Sequence, residues 1–498
     1  MTSFTEAADS SFDLPPEAFR ALGQETIELI TAFFADIKDA APFPAQHPAA
    51  VHALFDLPVP EVGEDPHEIL ADWTTKILPN SSILGHSKWF GFVNGSGSQI
   101  GALADALAST LNANLGGWKA SPAATEIERR TIAWLSELIG YAKDTGGIFL
   151  SGGTMANIAG LRTALCAKAT WDIAAHGLQA PGGSRQLTVY MADHESHVSF
   201  QSAVNLLGLG CNALRQVPSN ADFTIDVAAL DALLDADIAN GMTPFCIVGH
   251  AGSINVGALD DFNALADLAA RRNLWFHVDG ACGALGAMLP ELAPQFQGMT
   301  RADSISFDAH KWLGVPYEAA CLLVRDAEAL RRAFVTQATY LLSSLPSEYS
   351  GLNYFDYGPQ LSRGWRALKV WMSLRFYGAE GYRAIFRRTI ACAKHLHARV
   401  VASADFEVVQ PEPDLYIYSF RYVPAALRGD DARLDELNQR VADELIKRQL
   451  AFTMTTRIRG LVTQRLSICS HRTTLRDIDE TLAAMRAVGQ ELLAAPPS

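Results

Sequence analysis

The chain has no Cys-x-x-Cys pair: Cys166, Cys211, Cys246, Cys282, Cys321, Cys392 and Cys469 are scattered through apolar runs. An odd, dispersed set excludes a disulfide framework and suggests reduced core thiols in a cytoplasmic protein. No run of eighteen apolar residues occurs, and Met1 to Asp13 is polar and acidic, so neither a membrane span nor a signal peptide is expected. Positive charge is in short supply. Forty Lys and Arg stand against 54 Asp and Glu, giving a formal charge of −14 and removing the basic surface that nucleic acid or an anionic membrane would need. Low-complexity tracts are also missing. With 498 residues, 49% of them apolar, the chain is expected to be ordered throughout, in two or three packed regions.

Pro15-Pro16 opens a helical stretch whose Phe19, Leu22, Leu29, Ile30, Phe33 and Ile37 share one face. The loose segment from Pro42 to Pro66 follows it, and the face can pack on a partner subunit or on the chain's own core. Beyond residue 100, helical stretches alternate with short apolar strands: Gly147–Leu150, Thr188–Met191, Pro244–Gly249, Leu274–Val278, Ser304–Phe307 and Ala320–Val324. Strands separated by helix-length spacers imply parallel pairing, an α/β class, and ligands at the strand carboxyl ends. Residues 335–357 lose periodicity and suit a lid. After Phe406, short strands at Glu407–Gln410, Leu415–Tyr422 and Leu461–Cys469 flank two amphipathic helices. Three parts result: an N-terminal helical segment (1–99), a large α/β domain (100–395) and a small α+β domain (396–498).

Two of those strands end in chemistry. Leu274–Val278 delivers Asp279, and Ser304–Phe307 leads to Lys311. An amine and a carboxylate at neighbouring strand ends suit pyridoxal 5′-phosphate (PLP), which needs a lysine to hold its aldehyde and a carboxylate to keep its ring nitrogen protonated. Ser151-Gly152-Gly153-Thr154 opens a helix after another strand, where backbone N–H groups and the Thr154 hydroxyl can hold a phosphate. His197 follows the strand ending at Met191 and can lie on an aromatic ring. Its neighbour in His194-Glu195-Ser196-His197 invites a metal, but no HExxH and no Cys ligand set accompanies the pair, so no metal is expected.

In order, these elements resemble the group II PLP-dependent decarboxylases, the family of aromatic L-amino-acid and glutamate decarboxylases within PLP fold type I. The similarity runs from about Leu14 to Leu493. It is densest at Gly85-His86-Ser87-Lys88-Trp89-Phe90-Gly91-Phe92, Ala120 to Glu126, Ser304 to Arg325 and Arg465 to Ser470. It implies a mainly parallel large-domain sheet and an obligate homodimer with a composite active site. It also implies roles. Lys311 binds the cofactor, Asp279 pairs with the pyridine nitrogen, and His197 stacks on the ring. Gly153 and Thr154 hold phosphate, Ala281 lies under the ring, and His310 contacts phosphate or substrate. Ser253, from Gly252-Ser253-Ile254-Asn255-Val256-Gly257, joins the cofactor contacts. Tyr340 is the loop proton donor, and Leu361 and Ser362 reach the neighbouring subunit's site.

The implied reaction is α-decarboxylation of an L-amino acid to an amine and CO2. Trp89, Phe90, Phe92, Val93, His310 and Leu361 form the expected substrate pocket, suited to an aromatic or apolar side chain. Three departures stand out. Phe92-Val93-Asn94 replaces a Tyr-Phe-Pro-like patch, and Ile254 stands where a hydroxyl is common. Asp308 stands where the aromatic branch often has Asn. A carboxylate beside a phosphate is electrostatically awkward, so Asp308 is expected to face elsewhere. Arg465 is open to a carboxylate-gripping role. Aldehyde synthesis, in which O2 consumes the intermediate carbanion, is the main rival; a transaminase or lyase ranks behind it.

Overall fold

The computed structural model describes residues 13–179, 186–193, 197–335 and 351–494. Its main sheet has seven strands: β1 (Gly146–Leu150), β2 (Leu187–Ala192), β3 (Leu214–Val217), β4 (Thr243–His250), β5 (Trp275–Asp279), β6 (Ser304–Asp308) and β7 (Ala320–Val324). Their spatial order is β1-β7-β6-β5-β4-β2-β3. Neighbours from β3 through β6 pair in parallel. All residues of β1, β2, β5, β6 and β7 are buried, as a sheet covered on both faces requires.

The sheet is mainly parallel, with one correction to the spacing argument. β7 runs antiparallel to both β6 and β1. The connection 309–319 holds no helix to carry a crossover, so the chain turns straight back. β3 was not foreseen because it is short and only Val217 in it is fully buried.

A second sheet takes β8 (Phe406–Val408), β9 (Ile417–Tyr422), β10 (Met454–Ile458) and β11 (Leu461–Ser467) in the antiparallel order β10-β11-β9-β8. Helix Asp431–Lys447 packs on β11 and on helix Leu475–Ala494. Helix Ala367–Val401 touches β8 and β9 at one end and the helices Gln99–Leu111 and Pro122–Leu138 elsewhere, tying the two sheets together. The division at 395/396 falls inside this helix.

Helix Pro16–Asp36 starts where Pro15-Pro16 places it, yet none of its residues is buried. Phe19 is 66% exposed and Ile27 is 46% exposed. Further on, the N-terminal segment becomes structural. Phe452 N donates to Lys88 O, Phe90 N to Phe452 O, and Ser467 N to Phe90 O, so residues 88–90 lie as an extra rung against the small sheet. At Gly95 the segment passes so close to the turn bearing Lys311 that a Cβ would sit 2.1 Å from His310 O and 2.3 Å from Lys311 O. Only glycine permits that approach.

Candidate active site

The parallel strands point their carboxyl ends at one cavity of about 530 Å³. Asp279 closes β5, Asp308 closes β6, Lys311 sits in the turn after it, and Ser151 to Gly153 links β1 to helix Gly153–Lys168. His197 enters from the segment after β2, and Met454 and Arg465 arrive from the small sheet. The cavity therefore lies where the two sheets meet.

Asp279 is buried, and its carboxylate is anchored on both oxygens. Ala281 N donates to Oδ1 at 3.1 Å and Asn157 Nδ2 donates to Oδ2 at 3.2 Å. Burial alone would favour the neutral acid, but His250, His197 and the Ala281 N–H outweigh it and hold the carboxyl below its ordinary value. The anion is the resting form. Asn157 is oriented in turn by Ser306 Oγ, which donates to its Oδ1 at 2.6 Å, and by His277 Nε2 at 3.1 Å. His277 Nδ1 meets Ser304 Oγ at 2.7 Å, and Trp275 Nε1 donates to the same hydroxyl at 2.8 Å. Burial pushes His277 down to about 4, so its neutral ring passes orientation, not charge, toward Asp279.

Lys311 Nζ lies 2.9 Å from Asp308 Oδ2. Burial opposes the charged amine, yet the Asp308 carboxylate, Cys282 and Asp279 raise its pKa above the ordinary lysine value. Asp308 thus faces the site, contrary to the sequence expectation. The lysine's charge is what makes that placement favourable. His310 Nε2 is 3.6 Å from the same oxygen, and its Nδ1 lies 3.0 Å from Ala319 O and 3.1 Å from Ala319 N. Burial lowers the pKa of both His197 and His310. Ser199 N donates to His197 Nδ1 at 3.1 Å.

These groups fit pyridoxal phosphate. A Cβ built on Gly152 meets nothing within 4 Å, although one on Gly153 would meet the Asp308 carboxylate at 2.8 Å, so the room for a phosphate, received by backbone N–H groups and Thr154, lies on the Gly152 side of the helix start. A buried anion suits a pyridinium nitrogen, and Lys311 is the amine that reaches the same cavity. Ala281 also lines it.

Not every expected residue lines the cavity. Phe92, Val93 and His310 do, whereas Trp89 and Phe90 are core. Trp89 stacks on Phe452 with centroids 3.9 Å apart and planes 4° off parallel, and Phe90 is wholly buried beside the rung it forms with β11. Ser253 is buried, its hydroxyl accepting from Ala258 N to close a turn, and Ile254 is the residue that faces the cavity. Leu361 and Ser362 are exposed and line no part of this chain's cavity. Tyr340 lies outside the described residues, as do 336–350 of the expected loop.

Asn157, Asn94, Tyr317 and Met454 were missed, and Arg465 was left without a place. Asn157 had a signal: it stands one helical turn beyond Gly153 and so faces the same strand ends. Tyr317 stacks against His310 with centroids 4.4 Å apart, and Asn94 Nδ2 donates to its hydroxyl. Arg465 donates to Ile254 O at 3.1 Å.

Comparison with known proteins agrees with this geometry. Residues 48–423 match the family described as "Pyridoxal-dependent decarboxylase conserved domain". An aromatic-L-amino-acid decarboxylase of Bacillus atrophaeus is 31% identical over 97% of this chain and 98% of its own. A phenylacetaldehyde synthase of Petunia hybrida is 28% identical over 94% of this chain and 93% of its own. Among solved structures, the crystal structure of Oryza sativa TDC with PLP and tryptamine superposes with a TM-score of 0.90 at 25% identity, covering 97% of this chain and 100% of that one.

Proposed function

The chain belongs to the pyridoxal-dependent decarboxylase family and is a PLP-dependent carboxy-lyase of fold type I, and from that premise we propose how its residues act and on what. The reaction is decarboxylation of an L-amino acid, of the aromatic class carried by the Bacillus atrophaeus relative, to an amine and CO2. The observation that carries it is the convergence of Lys311, anionic Asp279 and the glycine-opened helix start on one cavity.

Bound PLP supplies the electron sink that receives the bonding pair left when CO2 departs. The protein supplies the rest. Lys311 is the amine that would hold the cofactor aldehyde, and the Asp279 carboxylate, fixed by Asn157 and the Ala281 N–H, would hold a proton on the ring nitrogen. Gly153 and Thr154 would hold the phosphate, and His197 and Ala281, which line the same cavity, would contact the ring. Lys311 and Arg465 bring positive charge to a cavity that must draw in an amino-acid carboxylate. Phe92, Val93, Ile254 and Met454 give it an apolar wall, while Asn94 and Tyr317 add polar groups. Tyr340, outside the described residues, is the candidate proton donor to Cα that the family resemblance implies.

The working unit is a homodimer of three-part chains (1–99, 100–395, 396–498). Its support is the exposed apolar face of helix Pro16–Asp36 and the outward placement of Leu361 and Ser362, which serve the neighbouring subunit's site. A cytoplasmic location is supported by seven cysteines that form no disulfide. No described helix is long and apolar enough to cross a membrane.

Aldehyde synthesis is the second reading, supported by the petunia relative; the presence of His197 in the cavity and of Tyr340 in the sequence favours the amine. Purified PLP-loaded protein incubated with L-phenylalanine, L-tyrosine, L-tryptophan and L-DOPA decides between them. Amine with matched CO2 and little peroxide is expected. Aldehyde, ammonia and peroxide would replace the decarboxylase assignment with the synthase.

A further inference from the structure

The Asp308 carboxylate is 97% buried in effect, with 3% of the side chain exposed, and its two oxygens have different surroundings. Oδ2 faces Lys311 Nζ at 2.9 Å and His310 Nε2 at 3.6 Å. Oδ1 is buried with no hydrogen-bond partner. Both crowd the helix start: a Cβ on Gly153 would lie 2.8 Å from Oδ2 and 3.1 Å from Oδ1. A buried carboxylate with one orphan oxygen is costly unless a cation is held against it. Lys311 is that cation.

We propose that Asp308 is a positioning residue, the counter-ion that keeps the Lys311 nitrogen protonated and in place in the cofactor-loaded enzyme. The inference rests on the PLP assignment above and adds a role for a residue that the sequence pattern appeared to disqualify. The other groups in electrostatic contact with Asp308 cannot replace it. His310 and His197 cannot carry negative charge, burial disfavours the anions of Cys282, Tyr317 and Tyr416, and the helix start at Gly153 is a donor. Asp279, the second carboxylate acting on Lys311, is committed to Asn157 and the Ala281 N–H. An asparagine at 308 would preserve shape and hydrogen bonding while removing the charge.

The visible absorbance of the PLP-loaded enzyme reports whether this nitrogen carries its proton, without reference to turnover. Its pH titration should show the protonated band persisting through pH 8 in the wild type. In Asp308→Asn the apparent pKa should fall by about 1–3 units, the effect of removing an opposite charge at this range, and Asp308→Glu should restore part of it. An unchanged pKa in Asp308→Asn, or a wild-type band already deprotonated below pH 7, would overturn the inference; the second needs no variant to fold. Failure of the wild type to develop any band with added PLP would instead overturn the cofactor assignment, and the inference with it.

Discussion

Two buried ion pairs lie within the same large domain and do opposite work. Arg363–Glu128 is fully enclosed, both side chains 0% exposed, with Arg363 Nη2 2.6 Å from Glu128 Oε1. Its remaining contacts are with the protein itself. Arg363 donates to Leu115 O and Phe149 O, Glu128 Oε1 accepts from Phe149 N, and the guanidinium lies 4.8 Å over the Tyr354 ring. Lys311–Asp308 is nearly as buried but opens onto the cavity. The first pair spends its hydrogen bonds on backbone and fastens the segment carrying Leu361 and Ser362 to the end of β1. Both leave buried atoms without a hydrogen bond, Glu128 Oε2 and Arg363 Nε in the first and Asp308 Oδ1 in the second, but only the second does so at a cavity wall, where chemistry can draw on it. Burial of charge alone does not mark a functional site; the direction in which its spare valences point does.

That contrast can be broken most severely at Lys311. Lys311→Ala should lower amine production by at least about a thousandfold, roughly 4 kcal/mol of lost transition-state stabilisation, while urea denaturation followed by circular dichroism shifts less than it does for the enclosed pair, because the stranded Asp308 lies at a cavity wall. Arg363→Met should do the reverse. Stranding Glu128 is expected to cost about 3–5 kcal/mol of stability by urea titration, with the double variant Arg363→Met/Glu128→Leu recovering much of it. If the single variant unfolds no more easily than wild type, the enclosed pair is not a fastener.

His277 sharpens the comparison, being a buried titratable group that stays uncharged. It titrates at 6.5 ordinarily and at about 4 in the folded protein. Between those values the unfolded chain binds the extra proton, so stability is complete above pH 6.5 and falls as pH drops toward 4. The loss is about 3 kcal/mol at the acid end, measurable by denaturant titration across that window. Smallest is Asn157→Ala. Losing a hydrogen bond to the Asp279 anion should weaken PLP binding by about tenfold, near 1.5 kcal/mol, seen in the apparent Kd from absorbance titration. Unchanged affinity would mean that the Ala281 N–H suffices to hold Asp279.

Legibility followed locality. Asp279, Lys311, Gly153, Thr154 and His197, which line one cavity, could be placed together from sequence because each ends or follows a short apolar strand, where an α/β sheet collects ligands. Asp308 was not. Every residue of β6 is buried, so alternation carries no information about which side chain faces the cavity, and the cost of its charge could be judged only with Lys311 beside it. Trp89 and Phe90 were misjudged because aromatic character suits a pocket wall and a core equally; the rung with Phe452 decided it. Met454 and Arg465 reach the cavity only through the meeting of the two sheets, a contact that no local pattern encodes. β10 escaped notice because it is short and mostly half-buried.

The rung through Phe90 has a consequence for how the molecule is made. Its partners, Phe452 and Ser467, come far later in the chain than Phe90, Asp279 and Lys311. Lysine, aspartate and phosphate cup can all be translated and folded while the entrance wall, with Met454 and Arg465, does not yet exist. A chain whose small sheet has not yet formed therefore holds an unfinished site open to water. Removing the chain from Phe452 onward should cost the enzyme its cofactor before it costs the large sheet its fold.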